Sequence, residues 1–298
     1  EFRRVLFRSC SGKNFSWVSK VAAKAGTKQV FTLNEDRTGT LLERAGPLSD
    51  SFKTVATGDD DLAAILYTSG TTGRSKGAML THKNLYSNAQ VLQKFWGWKK
   101  GDVLLHALPI FHVHGLFVAA HGALINGSKM IWLPRLDIAQ LIKHMPNSTV
   151  MMGVPTFYVR LLADKGFNKK VARNMRLFIS GSAPLLTETF NAFKKLIGQP
   201  ILERYGMSET VMLVSNPYQG ERVGGSVGLP LPGVKVRVVD EKNKPCGVDE
   251  IGNIQVKGPN VFKGYWRMPE KTAEEFTDRK STRLNSSHVK RSRMPSSA

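Results

Sequence analysis

Short apolar runs that end at glycine or proline recur along the middle of the chain. Four runs show this pattern, and they read AAILYTSG, DVLLHALP, STVMMGVP and MRLFISGSAP. Runs of this length without polar alternation are typical of strands buried on both faces of a sheet. Between them the apolar residues follow helical spacing, as in Leu186, Phe190, Phe193 and Ile197, with Gly198 as the predicted end. The segments DIAQLIKHM and TFYVRLLAD are also predicted helices.

The alternation of strands and helices predicts an α/β fold in which a mostly parallel sheet is flanked by helices. Ligands in such folds bind at the carboxyl ends of the strands, where the four Gly- or Pro-rich turns are expected. After about residue 222 the pattern changes, because Val234, Val236 and Val238 alternate with charged residues and GNIQVKGP follows. This pattern predicts an antiparallel hairpin in a smaller β-rich subdomain.

The composition is that of a globular protein with an unusual charge. The chain has 298 residues, a formal net charge of +20 and 41% hydrophobic residues. Residues 1–10 and 279–298 together carry +8 of this charge. Residues 279–298 show almost no apolar periodicity and are predicted to be a disordered basic tail that attracts polyanions at low salt. Because no nucleic-acid-binding motif accompanies the charge, we expect no specific nucleic-acid partner.

Several features bear on the cellular compartment. The longest apolar stretch, residues 113–125, is shorter than the ~20 residues of a membrane span and contains two histidines, so it predicts a buried helix. No apolar segment near Glu1 has the length of a secretory signal. The two cysteines, Cys10 and Cys246, favour a reducing compartment over a disulfide framework. We therefore expect a cytoplasmic protein, with a bacterial host favoured and a eukaryotic organelle still open.

The segment LYTSGTTGRSKG at residues 66–77 is rich in glycine, hydroxyl groups and positive charge. Glycines allow backbone N–H groups to approach an anion closely, and Lys76 adds a full cation. The spacing differs from that of a Walker A motif, in which Lys and then Ser or Thr directly follow the second glycine. An apolar strand before the loop and a helix-like segment after it favour a phosphate site. A flexible surface linker is the alternative interpretation.

Four blocks in sequence order together resemble the signatures of the adenylate-forming superfamily, which includes acyl-CoA synthetases, luciferases and peptide-synthetase adenylation domains. They are YTSGTTGRSKG at 67–77, LPIFHVHG at 108–115, SGSAP at 180–184 and RYGMSET at 204–210, with Ser208 where threonine is usual. The resemblance extends from about residue 17 to residue 278. Longer strings, among them GVPTFYVRLL and VKGPNVFKGYWRMPEKT, look most like malonyl-CoA synthetases.

The resemblance implies a two-step reaction. A carboxylate attacks the α-phosphate of ATP and releases pyrophosphate, and the thiol of coenzyme A then attacks the acyl-adenylate and releases AMP. Mg²⁺ accompanies the phosphates. The implied partners are therefore ATP, coenzyme A and a carboxylic acid, most closely malonate, and the oligomeric state is not specified.

The resemblance also assigns residues to each part of this reaction. The predicted phosphate-binding residues are Thr68, Ser69, Gly70, Thr71, Thr72, Gly73 and Lys76. The predicted adenine-site residues are Gly181, Ser182, Ala183, Tyr205, Gly206 and Met207. Ser208 is expected to donate to the α-phosphate, and Glu209 with Thr68 is expected to hold Mg²⁺. Together with His112 and Lys76, Ser208 and Glu209 are the predicted catalytic residues.

The acid-binding residues are implied in the same way. His112 and His114 are expected at the acyl-carboxylate end of the pocket. Zinc binding by this His-x-His pair lacks further ligands in the sequence, and two core histidines are the plain alternative. Arg160 and Arg204 are expected to clamp the second carboxylate of malonate, since a planar guanidinium can grip a carboxylate with two hydrogen bonds. Arg160 is the expected buried clamp, with an exposed helix arginine as the alternative.

The resemblance divides the chain into four segments. Residues 1–16 and 279–298 are unlike the family, whereas 17–222 are a partial AMP-binding core and 223–278 are the β-rich subdomain. Because the family continues into a ribose-binding Gly-Asp motif and a cap with a catalytic lysine, we expect this chain to be inactive alone. Two alternatives stay open. One is a ligase for another small or fatty acid, and the other is a non-catalytic nucleotide-binding fragment with a polyanion-binding tail.

Overall fold

The computed structural model describes residues 7–68, 75–278 and 281–284, and the chain divides into two compact units. The first unit is Glu1–Ala56 and the second is Thr57–Ala298. This boundary was not predicted from the sequence, although Gly58 and three consecutive aspartates at 59–61 follow it directly. Among the described residues, no helix is long and apolar enough to cross a lipid bilayer.

The first unit is a small β-α-β arrangement. Its elements are β1 (Phe7–Cys10), a 3-10 turn (Gly12–Asn14), α1 (Phe15–Lys24), β2 (Gln29–Thr32) and α2 (Thr40–Ala45). Strands β1 and β2 are parallel, and the rings of Phe7 and Phe31 meet edge to face at 5.7 Å between centroids. Strand β1 lies inside the segment 1–16 that the sequence predicted to be foreign, and its origin stays a prediction.

The second unit contains thirteen strands and six α-helices among its described residues. The strands are β3 (Leu62–Thr68), β4 (Lys76–Thr81), β5 (Val103–His106), β6 (Lys129–Trp132), β7 (Val150–Gly153), β8 (Leu177–Ser180), β9 (Leu202–Met207), β10 (Val211–Ser215), β11 (Leu229–Pro230), β12 (Lys235–Val239), β13 (Asn253–Lys257), β14 (Phe276–Asp278) and β15 (Ser281–Leu284). The helices are α3 (His82–Phe95), α4 (His121–Ile125), α5 (Ile138–His144), α6 (Pro155–Ala163), α7 (Thr187–Ile197) and α8 (Pro269–Glu275). A π-helical segment (His114–Ala120) leads into α4, and a 3-10 turn (Met145–Asn147) follows α5.

The main sheet confirms the predicted α/β class. Its seven strands lie in the order β11-β10-β9-β8-β7-β5-β6. The pairs β5–β6, β5–β7, β7–β8 and β8–β9 are parallel, whereas β9–β10 and β10–β11 are antiparallel. The predicted strands β5, β7 and β8 therefore place their carboxyl ends at one edge of the sheet. The predicted helix α7 is also confirmed, and Gly198 ends it with a φ of 88°, a left-handed conformation that glycine adopts without steric cost.

One prediction about the glycine-rich loop was wrong. Strand β4, rather than a helix, follows the loop, and it pairs antiparallel with β3 in a separate two-stranded sheet. Strand β3, which precedes the loop, therefore belongs to a different sheet from β5, β7 and β8. Pairing with β3 overrides the local helical pattern here, and Gly77 allows the two strands to approach closely. A Cβ at Gly77 would lie 2.8 Å from Cγ2 of Ile65 on the neighbouring strand.

The predicted hairpin near the end of the second unit is confirmed. Strands β12 and β13 are antiparallel, with Lys235 opposite Lys257 and Val239 opposite Asn253. They belong to a four-stranded antiparallel sheet in the order β12-β13-β15-β14. Strand β15 lies within the segment 279–298 that was predicted to be disordered, so that prediction was wrong for residues 281–284. The backbone of β13 offers an edge to which β15 adds, and local composition does not reveal such pairing.

The core is built from aromatic and aliphatic side chains between the main sheet and its helices. The ring of Phe193 on α7 meets Tyr158 of α6 at 5.5 Å and Phe178 of β8 at 4.9 Å, both edge to face. Trp96 is fully buried, and its indole N–H donates to Oγ of Ser215 at 3.0 Å, which satisfies its polar group. This packing fixes the strands whose ends carry the candidate site.

Candidate functional site

Two neighbouring strands of the main sheet deliver the central residues of the candidate site. Strand β8 ends at Ser180 and runs into the predicted adenine turn Gly181-Ser182-Ala183. Ser180 lies opposite Glu203 on β9, so the turn faces Arg204 and the residues that follow it. A Cβ at Gly181 would lie 2.5 Å from Cζ of Arg204, which explains why the turn needs glycine at this position. The structure therefore brings the SGSAP and RYGMSET blocks together.

The guanidinium of Arg204 is buried within this arrangement. The residue is 2% exposed, and its Nε and Nη2 atoms have no hydrogen-bond partner among the described residues. Burial lowers the pKa of Arg204 to about 9, because a low-dielectric environment disfavours the charged form. A buried cation with unsatisfied donors is rare in folded proteins and is a candidate ligand contact.

The two predicted histidines lie beside this guanidinium. His114 is buried, and its Nδ1 atom lies 3.2 Å from Oγ of Ser182. Burial lowers the pKa of His114 well below its usual value, and the Arg204 charge lowers it further. His112 lies at the exposed rim, and partial desolvation together with the same charge lowers its pKa. Nδ1 of His112 accepts a hydrogen bond from the backbone N–H of His114 at 3.1 Å.

Arg160 does not share the environment of Arg204. The predicted helix α6 turns Phe157, Tyr158 and Leu161 into the core, whereas Arg160 is exposed. The expectation of a buried guanidinium at Arg160 was therefore wrong, because the side chain lies outside the apolar face of the helix. Its role as a carboxylate clamp stays a prediction, and Arg204 is the buried arginine of the predicted pair.

Lys76 lies at the start of β4 and is held by groups from the end of the second unit. Its Nζ atom is 3.2 Å from Oε1 of Glu275 and 4.5 Å from the centre of the Tyr265 ring. Thr68 faces Lys76 across the hairpin, and its hydroxyl donates to the backbone oxygen of Lys76 at 3.4 Å. The other predicted residues of the phosphate loop, Ser69, Gly70, Thr71, Thr72 and Gly73, lie outside the described residues.

The turn between β9 and β10 carries the predicted metal ligand. Glu209 is 5% exposed, and its Oε1 atom accepts a hydrogen bond from the Tyr265 hydroxyl at 2.8 Å. The turn is tight, and Val211 adopts a φ of +55°, which is strained for a β-branched residue. Strain of this kind clusters at functional sites. Ser208 is half-buried in the same turn.

The side chain of Glu209 fits the chemistry of Mg²⁺. This ion is usually held by one or two carboxylates together with phosphate oxygens. The hydrogen bond from Tyr265 occupies Oε1 and leaves Oε2 of Glu209 without a hydrogen bond to a described residue. Glu209 is therefore suited to bind Mg²⁺ through Oε2.

Sequence reasoning missed Tyr265, Glu275 and Glu203. Tyr265 and Glu275 are separated from Lys76 by almost two hundred residues, so no local spacing could have connected them. Glu203 is buried, and its Oε1 atom accepts a hydrogen bond from the backbone N–H of Leu185 at 3.0 Å. Burial raises the pKa of Glu203 to about 7, although that hydrogen bond opposes the change. A glutamate inside an apolar strand was the one available sequence signal for this residue.

Comparisons with known proteins agree with this arrangement. The chain is 39% identical over 249 residues to the malonate–CoA ligase of Arabidopsis thaliana. The match covers 77% of this chain and 40% of that relative. The chain therefore spans less than half the length of this curated relative.

Two solved structures resemble the chain over nearly its whole length. ATP-bound MatB from Rhodopseudomonas palustris is 51% identical with a TM-score of 0.90, and the match covers 94% of this chain and 56% of that one. A malonyl-CoA ligase in a ternary product complex with methylmalonyl-CoA and AMP is 31% identical with a TM-score of 0.74, covering 95% of this chain and 68% of that one. The family model described as AMP-binding enzyme matches residues 4–266. The chain therefore belongs to the AMP-binding enzyme family, as the four sequence blocks predicted.

Proposed function

We propose that the protein ligates malonate to coenzyme A through a malonyl-adenylate, and that this chain supplies part of the adenylating site. The observation that carries the proposal is the buried guanidinium of Arg204, with two nitrogens unpartnered among the described residues. An uncompensated buried charge is costly, so it suits a ligand that brings a second carboxylate. The names of two similar proteins, a malonate–CoA ligase and a malonyl-CoA ligase, support the same acid.

In the first half-reaction an oxygen of malonate bonds to the α-phosphorus of ATP, and the bond from that phosphorus to pyrophosphate breaks. Both reactants are anions, so charge neutralisation and orientation dominate catalysis. Lys76 would neutralise phosphate charge, and the hydroxyl of Ser208 would donate to the α-phosphate. Glu209 would hold Mg²⁺, which supplies further neutralisation when it is bound.

His112 is suited to orient the carboxylate that reacts. Its lowered pKa favours the neutral imidazole at neutral pH, and its Nδ1 atom accepts a hydrogen bond from the backbone N–H of His114. The proton of the neutral ring therefore resides on Nε2, which becomes a donor. A donor at the rim, beside the positive charge of Arg204, would bind one carboxylate of the acid while Arg204 binds the other.

The adenine would lie against the turn at residues 181–183 and the strand end at 205–207.

In the second half-reaction the sulfur of coenzyme A bonds to the acyl carbon, the bond from that carbon to the AMP oxygen breaks, and the thiol proton is lost. We expect residues 1–298 alone to form no appreciable malonyl-CoA, because the chain spans less than half the length of the curated relative that it matches. A cytoplasmic location is part of the same proposal.

The proposed function can be tested by comparing how tightly the chain binds malonate and acetate. In the presence of ATP, calorimetry is expected to show malonate binding ~10²–10³ tighter than acetate, because acetate leaves a buried guanidinium unpaired. Arg160→Ala is expected to weaken malonate binding more than acetate binding, and Arg173→Ala serves as a matched control at another exposed arginine. Equal binding of malonate and acetate to the unmodified chain would contradict malonate as the substrate.

A further inference from the structure

The cation of Lys76 already has an internal anionic partner. Its Nζ atom lies 3.2 Å from Oε1 of Glu275, and both side chains are about one-fifth exposed, at 18% and 21%. The ion pair joins the start of β4 to the last residue of α8, which are 199 positions apart in the chain. A contact of this kind depends on the tertiary structure and is shielded from solvent more than an ordinary surface pair.

Tyr265 connects this ion pair to the predicted metal ligand. The Lys76 cation lies 4.5 Å from the centre of the Tyr265 ring, within the range of a cation–π contact. The hydroxyl of the same tyrosine donates to Oε1 of Glu209 at 2.8 Å. Lys76 and Glu209 are therefore held in a fixed relation through one ring.

Helix stability does not explain the position of Glu275. A carboxylate at the C-terminal end of a helix interacts unfavourably with the helix dipole, and Glu275 is the last residue of α8. Its neighbour Glu274 shows the ordinary alternative, since it pairs with Lys271 one helical turn away at 2.7 Å. That pair is largely exposed, at 61% for Glu274 and 45% for Lys271, and such pairs contribute little to stability.

We infer that Glu275 is a positioning residue that acts as the resting counter-ion of Lys76 and competes with the outer phosphates of a nucleotide for that lysine. This inference rests on the proposed function, because it needs Lys76 to contact phosphate. The carboxylate of Glu275 neutralises Lys76 before the ligand arrives, and the Tyr265 ring keeps the cation beside Glu209. A triphosphate replaces Glu275 as the partner of Lys76. The negative charge of the Glu275 carboxylate also repels the phosphates.

The consequence is that removing the Glu275 charge strengthens binding of ATP. Glu275→Gln leaves the cation of Lys76 without a competing carboxylate, and we expect ATP to bind about 2- to 5-fold more tightly, the upper part of the range for a partly exposed ion pair. AMP lacks the two outer phosphates, so its affinity is expected to change less than about twofold. A residue that only maintained the fold would not separate ATP from AMP in this way.

The experiment measures the dissociation constants of ATP and AMP by calorimetry for residues 1–298 and four variants, which are Glu275→Gln, Glu274→Gln, Lys76→Met and the double variant of Glu275→Gln with Lys76→Met. Glu274→Gln is the matched control, because it removes the same charge one residue away and is expected to change both affinities less than about twofold. In a double-mutant cycle, Glu275→Gln is expected to give no gain when Lys76→Met is already present.

The outcomes separate this inference from the function on which it rests. Unchanged or weaker ATP binding in Glu275→Gln, a gain equal to that of Glu274→Gln, or a gain that persists without Lys76 would each overturn the counter-ion role and leave the ligase function standing. Loss of the folded state in Glu275→Gln would also overturn it, since the residue would then be structural. If the unmodified chain bound neither nucleotide, the proposed function itself would fail.

Discussion

Replacing Arg204 by methionine is expected to make the folded chain more stable. Burial lowers the pKa of Arg204 from 12.5 to about 9, which corresponds to a cost of ~5 kcal/mol for the charged form relative to the neutral one. Methionine is long and unbranched, so it can fill much of the same space without a charge. Replacing buried charges by apolar residues typically gains ~1–4 kcal/mol, and we expect Arg204→Met to raise the free energy of unfolding by an amount in this range.

The size of this effect depends on pH in a defined way. Because the pKa is lowered in the folded state, the cost of the charge is fully present below about pH 9 and declines as the pH rises toward 12.5. The gain from Arg204→Met should therefore be constant between pH 6 and pH 8. Urea unfolding followed by tryptophan fluorescence measures it, and malonate should raise the midpoint of the unmodified chain without raising that of the variant.

Arg176→Met is the matched control for this prediction. Arg176 forms an ion pair with Asp102, whose side chain is 3% exposed and also accepts a hydrogen bond from Thr149 Oγ1 at 2.8 Å. Removing Arg176 leaves a buried carboxylate without its cation, and we expect a loss of ~3–5 kcal/mol. The same substitution should thus have opposite signs at the two sites. A loss of more than about 1 kcal/mol in Arg204→Met would show that the Arg204 guanidinium is compensated in the free protein.

Two other predictions concern residues of the same site. Burial raises the pKa of Glu203 from 4.5 to about 7, so the cost of its ionised carboxylate is fully present above about pH 7 and declines as the pH falls toward 4.5. Glu203→Gln should therefore gain stability relative to the unmodified chain as the pH rises from 4.5 to 7, by up to ~3 kcal/mol, and a pH-independent difference in urea unfolding would contradict this. A Cβ at Gly206 would overlap the backbone oxygen of Val211, so Gly206→Ala should cost ~1–3 kcal/mol or more. Gly122→Ala, in a helix where the nearest atom is 3.5 Å away, should be neutral or stabilising, and thermal unfolding that ranked the two variants equally would refute the steric argument.

The sequence by itself determined the elements whose pattern is local. The apolar runs that became β5, β7 and β8 and the periodic face of α7 were predictable, because a strand buried on both faces needs a continuous apolar run and a packed helix needs apolar residues at a period of 3.6. The left-handed φ of Gly198 and the hairpin of β12 and β13 follow from equally local rules. Four sequence blocks also identified the family, because the chemistry of phosphate and acid binding restricts residue types over short spacings.

Only the tertiary structure decided the features that depend on distant partners. Strand β4 forms because β3 is available to pair with it, and β15 forms because β13 offers an edge. Local spacing did not show which arginine is buried. The turn that follows β8 covers Arg204, whereas Arg160 lies outside the apolar face of its helix. The contact of Lys76 with Glu275 joins positions 199 residues apart. Charges and side-chain types are encoded locally, but their desolvation and pairing are properties of the packed chain.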